Sequence, residues 1–200
     1  MEPAVVTTES DYIKTTTHNF ISRQAVIEGA KQVEVKGRSI LRSNVKLCGN
    51  KGIIRIGRYV YIDETTTLEP SSFLLPTTET VTAAAAAAAA DNRPTKAIPM
   101  MIGNHTNIAS GCTIHAAAIG SMVSIGPGVV IGERCILKDC CIVEPGVTLG
   151  NDTVVPPFTR ISQTPTGVIC MSEIPPSIAV ELQEQSMDLY ESFANEQRTR

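Results

Sequence analysis

The chain has 200 residues, 42% of them apolar, and a formal charge of −3, which suits one domain with a sizeable core. That charge, with no basic run longer than a pair, excludes nucleic acid or an anionic membrane as the main partner. No apolar stretch approaches the roughly 20 residues of a membrane span, and six cysteines without CxxC spacing or a secretory signal read as reduced thiols of a cytoplasmic protein.

Residues 1–20 are polar and Thr-rich, with Tyr12, Ile13 and Phe20 the large apolar exceptions, so an irregular or short-strand start is expected. A six-residue rhythm then sets in. Val35, Leu41, Leu47 and Ile53 hold the aliphatic position, i, with Ser39 and Val45 at i+4, and Val26 and Ile27 are candidates a turn earlier. A slip at Asn50-Lys51-Gly52 resets the phase to Ile56, Ile62 and Leu68.

Residues 71–99 break the rhythm with three prolines and eight consecutive alanines, Ala83 to Ala90, and a loop of this length must lie outside the core. About two turns of helix is the most ordered state for that alanine run, and no function is assigned to it. The rhythm resumes at Ile102, Ile108 and Ile114, with Thr106, Cys112 and Ala118 at i+4, and drops one residue to reach Ile119. From there Ile125, Ile131, Leu137, Val143, Leu149, Val155 and Ile161 follow without a miss.

Six residues fit neither a helix nor a hairpin. In a short strand, i and the residue two before it point inward and the residue between them points out. Gly at i+1 (Gly120, Gly126, Gly132, Gly150) and Pro at i+2 (Pro127, Pro145, Pro157) then turn the corner. Three sides make an 18-residue coil whose strands stack at about 4.8 Å, a parallel β-helix of about six coils. Cys112, Cys135 and Cys141 occupy the small inward slot as core fillers rather than metal ligands.

The outward position i−1 should be polar on a solvated prism, yet it is Val130, Ile136, Ile142 and Val154 in the later coils. These four are the candidate protein-binding residues, and Ile136 and Val154, 18 apart, share one outer column with Ala118. After Ile161 a proline-bearing linker leads to a helix from Ser177 to about Gln197, with Ser177 as N-cap and Ile178, Leu182, Leu189 and Phe193 as its apolar stripe. The expected organisation is a polar segment over 1–22, a β-helix over 23–162 with a loop over 71–99, and a linker and helix over 163–200.

Leu47-Cys48-Gly49-Asn50, Ile54-Arg55-Ile56-Gly57 and the run from Ile102 to Gly120, followed by the C-terminal helix, resemble the γ-class carbonic anhydrase-like left-handed β-helix family. The resemblance implies the left hand, which the general rule for parallel crossovers would not. Its three metal-binding histidines fall on Glu69, Ser110 and His115, and its Arg and Asp at the Leu-x-Gly-x corner fall on Cys48 and Asn50. Serine is a poor zinc ligand and one His with one Glu leaves the site short, so no catalytic residue, metal or cofactor is expected. The alternatives are a metalloenzyme of that family or a hexapeptide acyltransferase, for which His105 and His115 are the histidines on the repeat.

Tyr12-Ile13, Ser22-Arg23-Gln24, Ile54 to Arg58, Leu137-Lys138-Asp139-Cys140-Cys141 and Val155-Pro156-Pro157-Phe158 are similar to the β-helix subunits of the dynactin pointed-end complex. This second resemblance covers about residues 9–195 apart from the 71–99 insertion. It implies a non-catalytic, cytoplasmic, cytoskeleton-associated subunit linked to microtubules and endosomes. By resemblance its partners are dynactin subunit 6, an actin-related protein, a zinc-containing pointed-end subunit and dynein cargo adaptors.

Overall fold

An aliphatic residue at every sixth position becomes, in the computed structural model, a short strand at every sixth position. Residues 11–74 and 95–199 are described. They form a left-handed parallel β-helix of six coils, visiting three faces in fixed order, with a seventh strand on the first face, four antiparallel strands at its ends and insertion, and a C-terminal helix. The first face holds Phe20–Ser22, Ile40–Leu41, Tyr61–Ile62, Asn107–Ile108, Ser124–Ile125, Ile142–Val143 and Thr159–Gln163. The second holds Val26–Glu28, Lys46–Cys48, Thr67–Leu68, Thr113–Ile114, Val130–Ile131 and Thr148–Leu149. The third holds Val33–Gly37, Ile54–Arg58, Met100–Ile102, Ala118–Ile119, Ile136–Leu137 and Val154–Val155.

Residues 18 apart pair as the period requires: Ile119 opposes Leu137, which opposes Val155, and Ile125 opposes Val143, which opposes Ile161. All eight aliphatic residues from Ile119 to Ile161 are 2% exposed or less. They form one continuous core with Leu41, Leu47, Ile56, Ile62, Leu68, Ile108 and Ile114.

Several local expectations are corrected. The parallel stack begins at Phe20, which pairs with Ile40, rather than at residue 23. Tyr12–Lys14 lies antiparallel on that first strand. Ile53 is not inward: it is 40% exposed, and Ile54 and Ile56 are buried in its place. The cause is an enlarged corner between the second and third faces, where the first coil carries a 3-10 turn at Ala30–Gln32 and the second carries residues 49–53. The 71–99 insertion leaves from the same corner one coil later, its base formed by antiparallel Ser72–Leu74 and Thr95–Ala97. The alanine run lies outside the described residues. Ala118 points outward beside Met101 and Ile136, and Ala116 fills the inward slot, because five residues rather than six separate Ile114 from Ile119.

The corners also work differently from the expected glycine turn. Backbone φ is positive at i+3, in Met122, Gly128, Arg134, Cys140, Gly146, Asp152 and Phe158, with values from 53° to 71°. Gly120 and Gly132, at i+1, are instead places of close approach. A Cβ on either would meet Asp139 Oδ1 or Asn151 Oδ1 at 2.5 Å. Those side-chain oxygens come from the next coil and accept the N–H of Ser121 at 2.7 Å and of Glu133 at 2.9 Å.

The segment expected as linker forms an antiparallel strand, Ile169–Glu173, on Thr159–Gln163. The helix spans Ile178–Thr199. Its buried positions are Leu182, Ser186 and Phe193, while Leu189 is only half-buried.

Candidate protein-binding site

Outward side chains on the three faces differ in what covers them. On the first face Phe20 and Ile40 point out yet are 4% and 1% exposed, because the C-terminal helix lies over them. Phe193 meets Tyr12 edge-on at 4.9 Å and Phe20 at 5.4 Å, and Tyr190 packs on Phe20 at 5.9 Å. The Tyr190 hydroxyl donates to His18 O at 2.8 Å. At the adjoining corner His105 stacks on Tyr59 at 5.0 Å, and its Nδ1 lies 2.8 Å from Ser186 Oγ on the helix. Burial holds the His105 pKa below the usual histidine value.

The third face has no such cover among the described residues. Its outward column runs Glu34, Arg55, Met101, Ala118, Ile136, Val154. The first two form an ion pair at 3.3 Å, and the other four make a bare apolar strip. Met101 is 42% and Val154 57% exposed, and Ile136 is half-buried. Of the four predicted residues only Ile136 and Val154 come together. Val130 stands on the second face between Thr113 and Thr148, and Ile142 on the first between Ser124 and Arg160. Met101 was missed although its place immediately before Ile102 marks it as outward.

The three positions carried over as metal ligands do not form one set. Glu69 and His115 follow the paired strands ending at Leu68 and Ile114 and stack at one corner, whereas Ser110 precedes its strand at the corner before it. Glu69 is already engaged by Lys51 at 2.5 Å, and that hydrogen bond raises the lysine pKa. Among the described residues no three His, Cys, Asp or Glu side chains converge as metal ligands. Cys48, at the corner where the enzymes carry arginine, is buried, and burial pushes its thiol pKa up.

A family profile described as dynactin subunit 5 matches residues 2–196. Dynactin subunit 5 of Dictyostelium discoideum is 35% identical over 185 residues, covering 92% of this chain and 84% of the relative. The chain belongs to the dynactin subunit 5 family. That membership makes it a dynactin subunit. A serine acetyltransferase of Synechococcus elongatus is 39% identical over 57 residues, only 27% of this chain.

Two solved structures share the whole architecture. An N-acyltransferase from Bacillus cereus has a TM-score of 0.59 at 12% identity, covering 85% of this chain and 88% of that one. A hexapeptide transferase family protein from Anaplasma phagocytophilum has a TM-score of 0.56 at 13% identity, covering 90% and 92%. At such identities the likeness is one of fold.

Proposed function

We propose that the chain is a non-catalytic scaffold subunit at the pointed end of dynactin, docking the related subunit 6 through its third face. In that assembly it helps the cytoplasmic dynein–dynactin machinery engage cargo adaptors on early endosomes. The observation that carries this reading is the uncovered strip of Met101, Ala118, Ile136 and Val154, four consecutive apolar residues in one outward column, whereas the outward Phe20 and Ile40 of the first face lie under the chain's own helix. An exposed apolar strip on a folded domain marks a binding surface. A scaffold role also fits the corner where the enzymes bind metal, since Lys51 occupies the carboxylate of Glu69 and Ser110 is on the preceding corner.

The test is the double variant Ile136→Asp with Val154→Asp. Both side chains point out, so the inward residues Leu137 and Val155 and the core keep their packing. An unpaired carboxylate buried in an interface costs several kcal/mol, about a hundredfold or more in affinity. The variant should melt near the parent and fail to co-purify with subunit 6. Wild-type recovery of that partner would remove the third face from the interface.

A further inference from the structure

Six basic side chains on the prism are held in ion pairs. Arg42, Lys46, Lys51, Arg55, Arg134 and Arg160 each lie within 3.5 Å of a carboxylate. Lys36, Arg38, Arg58 and Arg198 are exposed and make no ion pair with any described residue. These four are grouped at the N-terminal end, where the third face turns into the first. Two open clefts adjoin there, one of about 470 Å³ lined by Lys14, Arg38, Tyr59, Tyr190 and Arg198, the other of about 500 Å³ lined by Thr17, Lys36, Arg38, Arg58 and Tyr59. Arg38 and Tyr59 form the wall between them.

We propose that these clefts are one docking groove for an acidic, extended polypeptide segment of a partner protein. It is a different surface from the apolar strip and rests on a different observation, the local cluster of cations without an ion pair in a chain whose net charge is −3. Arg38 is already held in place: its guanidinium sits 5.5 Å from the Tyr59 ring centre and donates to the Tyr59 hydroxyl. That restraint lowers the ordering cost when its remaining donors meet a carboxylate.

Two shallow depressions in a row fit a chain that places alternate side chains in each, about 7 Å apart on one side of an extended strand. A bilayer or duplex presents a broad field of negative charge. That field would meet more carboxylates than a single chain does: Glu191, which lines the helix side of the first cleft, and Glu181, Glu184 and Asp188 along the same helix outside it.

The test uses the full chain and fluorescence anisotropy of a fluorescein-labelled peptide of alternating glutamate and serine, with the glutamine version as control. The glutamate peptide should bind in a salt-sensitive way and the glutamine peptide should not. Lys36→Glu with Arg58→Glu, neither of which has a side-chain hydrogen bond or ion pair to a described residue, should weaken binding by about tenfold or more. Arg38→Gln should weaken it less, and Lys31→Glu, remote at the 3-10 turn, should leave it unchanged. Melting curves of each variant confirm folding. Absence of glutamate-peptide binding, equal binding of both peptides, or equal loss with Lys31→Glu would overturn the proposal. So would preferential binding of phosphatidylcholine vesicles carrying phosphatidylinositol bisphosphate, which would assign the groove to a membrane.

Discussion

At the scale of single residues the fold rests on two devices that repeat from coil to coil. Glycine at i+1 leaves room for an Asn or Asp of the next coil to cap the following N–H, as Asp139 does above Gly120 and Asn151 above Gly132. Small donors at i+4 bond outward to the next coil: Ser39 to Gly57 O at 3.1 Å, Thr106 to Gly120 O at 3.1 Å, and Cys135 to Gly150 O at 3.0 Å. Several corner residues stand in the left-handed region without being glycine, among them exposed Thr65 at φ 58°. A β-branched residue there costs about 1–2 kcal/mol, while glycine brings an unfolded-state cost of about 0.5–1 kcal/mol. Thr65→Gly should therefore stabilise the domain by about 0.5–1 kcal/mol and raise the melting temperature by about 2 °C, and a lower melting temperature would contradict the corner geometry. Spacing makes the glycines visible in the sequence. Their reason is not visible, because it is an atom of a residue 19 positions on.

At the scale of elements, one helix decides which outward residues of the first face are covered. Its attachment uses Phe193, Tyr190 and Ser186, and the last of these bonds to His105. Burial lowers the His105 pKa, so the docked state favours the neutral ring and the unfolded chain binds more protons below its ordinary value of about 6.5. Stability from this contact is present at and above neutral pH and is lost as pH falls below about 6.5. The parent's melting temperature should drop further between about pH 7 and pH 5 than that of His105→Asn, which suits positive φ and does not titrate. Parallel curves would show that His105 stays protonation-neutral to docking. The apolar stripe of this helix was legible from Leu182 and Phe193, but Ser186 was not, because a polar residue joins a packing face only when a partner such as His105 waits there. The strip on the third face was half legible. Ile136 and Val154 follow from the 18-residue period, whereas Val130 and Ile142 share their position in the repeat but stand on other faces.

At the scale of the whole molecule, the chain carries the fold of hexapeptide acyltransferases and belongs to a dynactin subunit family. The coil supplies a rigid three-faced rod, and side chains outside its core decide whether that rod catalyses or assembles. The unbroken register from Ile119 to Ile161 made the coil legible. The enlarged corner between the second and third faces was legible as the slip at Asn50-Lys51-Gly52, and the phase read on either side of it holds at Leu41, Leu47, Ile56, Ile62 and Leu68. Only Ile53, which belongs to the corner itself, was misplaced, because residues added at a corner do not disturb the strands on either side. Assembly through the third face is the central claim. Lys138 lies one residue beyond the third-face strand Ile136–Leu137, within reach of whatever covers Ile136. Amine cross-linking and mass spectrometry of the complex purified from cytosol through this chain should link Lys138 to a second hexapeptide-repeat subunit, whereas links from Lys138 only to copies of the same chain would contradict the account.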